Sequence, residues 1–214
     1  MQKIGRTDIV RMIQAAAAAI RRNESQLSAL DAATGDGDHG TAMVRAVDAA
    51  EKVIEASPGA PLPELLTAIG WEVMCAAGGA TGPLFGSLFT GMGESASGRG
   101  DLDAAAVAAM FEAGLASVRE QTQAQVGDKT LLDALVPGVE ALRAAADRQS
   151  DIAVALAEAA AAAEAGAEST TRLQARFGRA RNLAERSIGP ADPGATSVAV
   201  ILRAFAEAPS HGGA

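Results

Sequence analysis

The chain has no tyrosine, one tryptophan and only five phenylalanines. Aromatic residues are among those that strands favour, so a sheet-built core is disfavoured. A lone cysteine, Cys75, excludes an internal disulfide and fits a reducing setting. Basic residues are in deficit, 18 Lys plus Arg against 26 Asp plus Glu, giving a formal net charge of −8. A nucleic-acid binder needs a basic face against the phosphate backbone, so that class is set aside. No basic-then-apolar leader pattern opens the sequence, and a cytoplasmic location is expected. The uncharged stretch from Val73 to Gly93 is long enough to span a bilayer, but it carries six glycines and Pro83. It is read as two buried helix ends around a glycine-rich loop, with no membrane span.

What the chain has instead is alanine, 52 of 214 residues, the best helix former. Apolar residues recur at three- and four-residue spacing, and an all-α fold of eight helices is expected. The first starts at Thr7 and breaks at Asn23, where Gln26 completes a capping-box spacing. The second follows Gly40 and Thr41, the third runs from Pro63 to Gly78, and the fourth from Pro83 to the Gly98–Gly100 segment. The fifth opens at Asp101 or Asp103 and ends near Gln121. The sixth spans Thr130 to Arg148, with Pro137 expected to kink or split it. The seventh covers Ile152 to Arg176, and the eighth follows Asp192-Pro193-Gly194 to Ala206. Residues 1–208 are read as one domain and 209–214 as a disordered tail.

Polar, glycine-rich sequence falls at alternate connections: 31–41, 78–83, 121–130 and 177–194. Short connections make successive helices antiparallel, so alternate loops share one end of the bundle. The four motif-bearing loops are therefore expected to meet at one rim.

The first of them, Asp31-Ala-Ala-Thr-Gly-Asp36-Gly-Asp38-His39-Gly40, holds three carboxylates in eight residues. Crowded carboxylates repel unless a cation holds them, and an all-oxygen ligand set suits Mg2+ or Ca2+. The plainer alternative is an acidic turn in which Asp38 caps the second helix. The GxGxxG spacing here lacks a preceding strand, so a dinucleotide fingerprint is set aside. An EF-hand loop fails as well, because its twelfth position is Val47. Gly78-Gly79-Ala80-Thr81-Gly82-Pro83 opens a helix whose free N–H groups suit a phosphate. Lys129 is a candidate to neutralise a phosphate oxygen, and His39 to donate to one. Arg172, Arg176, Arg179, Arg181 and Arg186 reverse the local sign of charge, and the break at Phe177-Gly178 aims Arg179 at the rim. Together these are the parts of a site for holding phosphates.

Five motifs, Gly35-Asp-Gly-Asp-His-Gly40, Gly78-Gly-Ala-Thr-Gly-Pro-Leu-Phe-Gly86, Gly127-Asp-Lys-Thr130, Gln174-Ala-Arg-Phe-Gly-Arg179 and Asp192-Pro-Gly-Ala-Thr-Ser197, occur in order. In these the chain resembles the nucleotide-binding L-subunit family of dihydroxyacetone kinases, from Thr7 to Ala206. The resemblance implies an eight-helix antiparallel barrel with ADP or ATP at one rim. It implies that Asp31, Asp36 and Asp38 hold two Mg2+ ions, and that these three with Arg179 serve the transfer. It implies a nucleotide pocket lined by His39, Gly40, Thr41, Ala42, Gly79, Ala80, Thr81, Thr122, Leu131, Arg179, Asp192, Pro193 and Gly194. It further implies a K-subunit partner that carries the ketose covalently and, in one branch, a phosphohistidine donor protein of the phosphotransferase system. That branch commonly has Gly-His-Gln where this chain has Gly189-Pro190-Ala191, which leaves the donor and the ketose open. An ATP-dependent kinase subunit and a nucleotide-sensing module that binds a transcription regulator stand as alternatives.

Overall fold

The computed structural model describes residues 3–96 and 101–208. Among them are eight α-helices: α1 (Arg6–Ala32), α2 (His39–Ala56), α3 (Leu62–Ala76), α4 (Thr81–Ser95), α5 (Ala104–Glu120), α6 (Leu132–Asp147), α7 (Ile152–Ser169) and α8 (Pro193–Glu207). Two 3-10 stretches, Thr170–Arg172 and Arg179–Ser187, join α7 to α8. Each helix lies against the next, and α8 returns to α1, closing a ring. Neighbours run antiparallel: Gly40 at the start of α2 faces Glu24 and Ser28 late in α1, and Gly166 late in α7 faces Asp133 early in α6. The fold is the expected all-α barrel.

Small side chains let the helices approach closely. In the alanine run of α7, Ala159, Ala160 and Ala163 are fully buried, so this stretch is core. A β-carbon on Gly166 would fall 2.1 Å from the Asp133 carbonyl oxygen. That carbonyl is also the one that Pro137, lacking an N–H, leaves without its usual helical partner. Helix α6 nevertheless continues through Pro137 as one helix, so of the expected kink or split the split does not occur. Leucines and isoleucines fill the interior, with Ile20, Leu27, Leu65, Leu66, Ile69 and Leu142 all at 0 % exposure. Each such side chain contributes roughly 1.5–3 kcal/mol by leaving water.

Several helix ends shift by two or three residues from expectation, α2 opening at His39 and α4 at Thr81, and three departures have clear local reasons. At the start of α1, Gly5 rather than Thr7 stands before the first turn, because the Ile4–Leu102 bridge fixes the chain there and the Asp8 carboxylate accepts the Gly5 N–H at 3.0 Å. No break occurs at Asn23, whose side-chain amide donates to the Ala19 carbonyl at 2.8 Å within an unbroken α1. Finally, α7 ends at Ser169, short of Arg176. There the hydroxyls of Ser169, Thr170 and Thr171 bond back to the carbonyls of Gly166, Ala167 and Glu168, the competition that ends helices at such residues. The expected end of the fourth helix at residues 98–100 and the tail 209–214 lie outside the described residues.

The connections after α1, α3, α5 and α7 share one end of the barrel. At the other end, Arg6 reaches across from α1 to the Ala60 and Ser57 carbonyls before α3, at 2.8 and 2.9 Å. Among the described residues no helix is long and apolar enough to cross a membrane.

Candidate nucleotide and metal site

The acidic loop folds around the end of α1. The Asp31 backbone carbonyl accepts the N–H groups of Thr34 and Gly35, which turns the chain back on itself. Its carboxylate accepts the N–H groups of Asp38 at 3.0 Å and His39 at 3.3 Å. The first turn of α2 is thus capped from α1, while Asp38, at the N-cap position, makes no side-chain capping bond. That corrects the plainer reading of Asp38 as the cap. It frees the Asp38 carboxylate to turn towards its neighbours. Asp31, Asp36 and Asp38 each offer a carboxylate oxygen within 4.8 Å of the others, Asp31 half-buried and the other two exposed. Three converging carboxylate oxygens are a donor set for a hard divalent cation, so the residues present fit magnesium.

His39 joins three helices at this rim. Its Nε2 lies 2.8 Å from the Ser197 hydroxyl of α8 and its Nδ1 lies 3.4 Å from the Thr81 hydroxyl of α4. Burial holds the imidazole below its ordinary pKa, with the nearby charges of Asp31 and Asp38 pulling the other way. Through these contacts His39 braces α2 against α4 and α8. Ser197 was not singled out as a site residue in the sequence, although it closes the last motif.

All four even-numbered helices begin at this rim. Helix N-termini present unpaired N–H groups and a partial positive charge, which suits phosphate. Thr81, 7 % exposed, opens α4 behind the exposed Gly79 and Ala80. Gly79 sits at φ +61° with open space about its α-carbon. Gly40 seats against Glu24 and Ser28 of α1, Ala42 is buried, and Thr41 is exposed with its hydroxyl 3.5 Å from Glu24. In the loop after α5, the Thr122 hydroxyl accepts the Ala124 N–H at 3.1 Å. Leu131 is buried against Gly194 at the start of α8. Asp192 caps α8 through the Ala195 N–H at 2.7 Å, with Pro193 in the first turn.

The arginine-bearing segment lies over the same rim. Gly178 adopts φ +63°, a left-handed backbone that suits glycine, and turns the chain so that the Arg179 guanidinium ion-pairs with Asp36. Arg176 instead reaches the Asp128 carboxylate at 3.3 Å, and Arg172, Arg181 and Arg186 are exposed.

Lys129 is where the structure departs furthest from the sequence reading. It is 4 % exposed, and its ammonium donates to the Thr170 and Pro190 carbonyls at 2.5 and 2.6 Å. Its ammonium is thus engaged within the protein. Nearby Asp133, also unforeseen, is 3 % exposed and accepts the Gly127 and Thr130 N–H groups at 2.6 and 2.8 Å. The Thr130-x-x-Asp133 spacing is a helix-start signature that announces it.

Residues 33–207 match the DAK2 domain. The chain belongs to the DAK2-domain family. It is 36% identical to the PEP-dependent dihydroxyacetone kinase, ADP-binding subunit DhaL of Escherichia coli, over 95% of this chain and 97% of that one. To L-erythrulose 1-kinase of Mycolicibacterium smegmatis it is 39% identical over 86% of its length, spanning 32% of that longer protein. The dihydroxyacetone kinase of C. freundii in complex with AMP-PNP and Mg2+ superposes with a TM-score of 0.75 at 28% identity, covering 98% of this chain and 35% of that one. The relatives of similar length are thus subunits of a kinase, and the longer ones carry the DAK2-type fold as about a third of a larger chain.

Proposed function

We propose that this chain is the nucleotide-binding subunit of a dihydroxyacetone-type kinase. It holds ADP or ATP with two magnesium ions at the barrel rim and passes a phosphoryl group to dihydroxyacetone or a related short ketose carried on a K-subunit partner. The observation that carries this reading is the convergence of Asp31, Asp36 and Asp38 beside three helix N-termini joined through His39. An anionic protein needs such a combination to tolerate a polyphosphate. Magnesium held by the three aspartates would neutralise phosphate charge and fix the direction of transfer. The chain's own part is to bind and orient. Backbone N–H groups at the start of α4, which no side chain caps, would face the phosphates, Arg179 supplies a planar cation, and the Asp192-Pro193-Gly194 turn with Leu131 shapes the nucleotide wall.

The named E. coli and Listeria relatives are PEP-dependent, which supports a phosphohistidine protein as the donor. The Gly189-Pro190-Ala191 sequence and the likeness to erythrulose kinase favour direct use of ATP as the second reading. The test is to purify the chain, denature it and identify any released nucleotide. Each donor is then supplied in turn, with a matching K subunit and dihydroxyacetone or erythrulose. Retained ADP and transfer from the phosphohistidine protein support the first reading, whereas an empty site and transfer from ATP support the second. No ketose phosphate with either donor refutes both and leaves a nucleotide-sensing module, such as one that binds a transcription regulator.

A further inference from the structure

Lys129 is a buried cation at a functional rim that the transfer chemistry leaves unused. Its backbone is left-handed, φ +60°, an arrangement that costs a non-glycine residue energy and persists only when its surroundings hold it. What holds it is the side chain, which runs inward to two carbonyls far away in sequence. One belongs to Thr170, just past the last turn of α7, where carbonyl dipoles point outward and attract a cation. The other belongs to Pro190, two residues before the cap of α8. The same two segments are tied again: the Thr170 hydroxyl accepts the Asp192 N–H at 2.8 Å, and the Thr171 carbonyl accepts the Gly189 N–H at 2.9 Å. Burial lowers the Lys129 pKa, and the charges of Asp192 at the cap of α8 and Asp133 in α6 oppose that shift.

We propose that Lys129 is a positioning residue: it fixes the turn 189–194 against the end of α7 and so sets the wall on which the nucleotide rests. The proposal deepens the nucleotide-site reading and depends on it only for the binding arm of its test. Removing the ammonium leaves the Thr170 and Pro190 carbonyls without their donor, and the turn preceding α8 then holds its place through the Thr170 hydroxyl, the Gly189 amide and the bond from His39 to the Pro193 backbone. The acidic loop, braced by Asp31 and His39, has no bond to Lys129 and keeps its geometry.

The experiment compares the wild-type chain with Lys129→Met and, as a control for general loosening, Leu65→Ala in the core of α3. Hydrogen exchange is followed by peptide without nucleotide, and Mg-ADP affinity by calorimetry, both well below the melting temperature. Lys129→Met is expected to speed exchange in 189–195 by about tenfold or more, the scale of losing hydrogen bonds to a charged group, with 31–41 unchanged. It should weaken Mg-ADP by a similar factor, while Leu65→Ala binds within about twofold of wild type. Unchanged exchange in 189–195, equal loosening of 31–41, or the same affinity loss in Leu65→Ala overturns the proposal. Should the wild-type chain fail to bind Mg-ADP, the site reading falls while the exchange arm still judges the role of Lys129. Lys129→Gln, which keeps a neutral N–H donor group, is measured in the same way if the methionine variant does not fold.

Discussion

Asp31 carries two loads that substitution can separate. Its carboxylate is one of three converging towards a cation site, and it also accepts the two N–H groups that open α2. Losing such a cap costs about 1 kcal/mol, within a range of roughly 0.5–2. In a chain of this size about 1 kcal/mol moves the melting temperature by roughly 2–4 °C. Asp31→Ala measured in a chelator should therefore melt several degrees lower. Asp31→Asn retains an acceptor oxygen and should melt within about a degree of wild type, because Asn caps about as well as Asp. Asp36→Asn loses an exposed pair with Arg179 but relieves repulsion from Asp31 and Asp38, two opposing effects, so its stability in chelator should change by less than about 0.5 kcal/mol. With Mg-ADP at 100 times its dissociation constant, binding stabilises the wild type by about 2.7 kcal/mol, and all three variants should lose most of that gain. Differential scanning fluorimetry with and without Mg-ADP reads both effects at once. Equal melting of Asp31→Ala and Asp36→Asn in chelator would refute the capping argument. Full ligand stabilisation in Asp31→Asn and Asp36→Asn would refute the cation site.

Two further outcomes follow from the rim and the barrel wall. Burial pushes the Asp192 carboxyl from 3.8 up to about 7, a rise that the Ala195 amide and Lys129 only partly oppose. A raised carboxylate pKa contributes stability below the unfolded value and loses it as pH rises through the folded one. Asp192→Asn, which keeps the cap, should therefore gain on wild type between about pH 4 and 7 in urea unfolding, and a flat difference would contradict the shift. Gly166→Ala places a methyl 2.1 Å from the Asp133 carbonyl oxygen, a backbone atom that cannot rotate away. It should cost about 1–3 kcal/mol in urea unfolding, and a neutral result would mean that α6 and α7 separate freely.

The helices and the rim were legible in the sequence for a common reason. Apolar spacing marks the buried face of each helix, and the polar connections fall at every second junction, so antiparallel order alone places 31–41, 78–83, 121–130 and 177–194 together. Local signals misled where an alternative partner existed nearby. Asn23 looks like a break, yet its amide finds the Ala19 carbonyl within the same helix. The Ser169-Thr170-Thr171 run continues an apparent helix, yet its hydroxyls turn back and end it. Lys129 was illegible because its fate depends on carbonyls 41 and 61 residues away, which no local pattern announces. Likewise the brace formed by His39 with Ser197 spans 158 residues and emerges only when α8 closes the ring.

Since α2, α4, α6 and α8 all open towards the rim, the fold imposes a rule of parity on its own variation. Adding or removing a helical hairpin leaves every later segment facing the same way. Gaining or losing a single helix would turn each downstream helix end for end and send its motif to the opposite mouth. Length can drift in the connecting segments and whole hairpins can be exchanged, but the count of helices between any two rim loops must stay even.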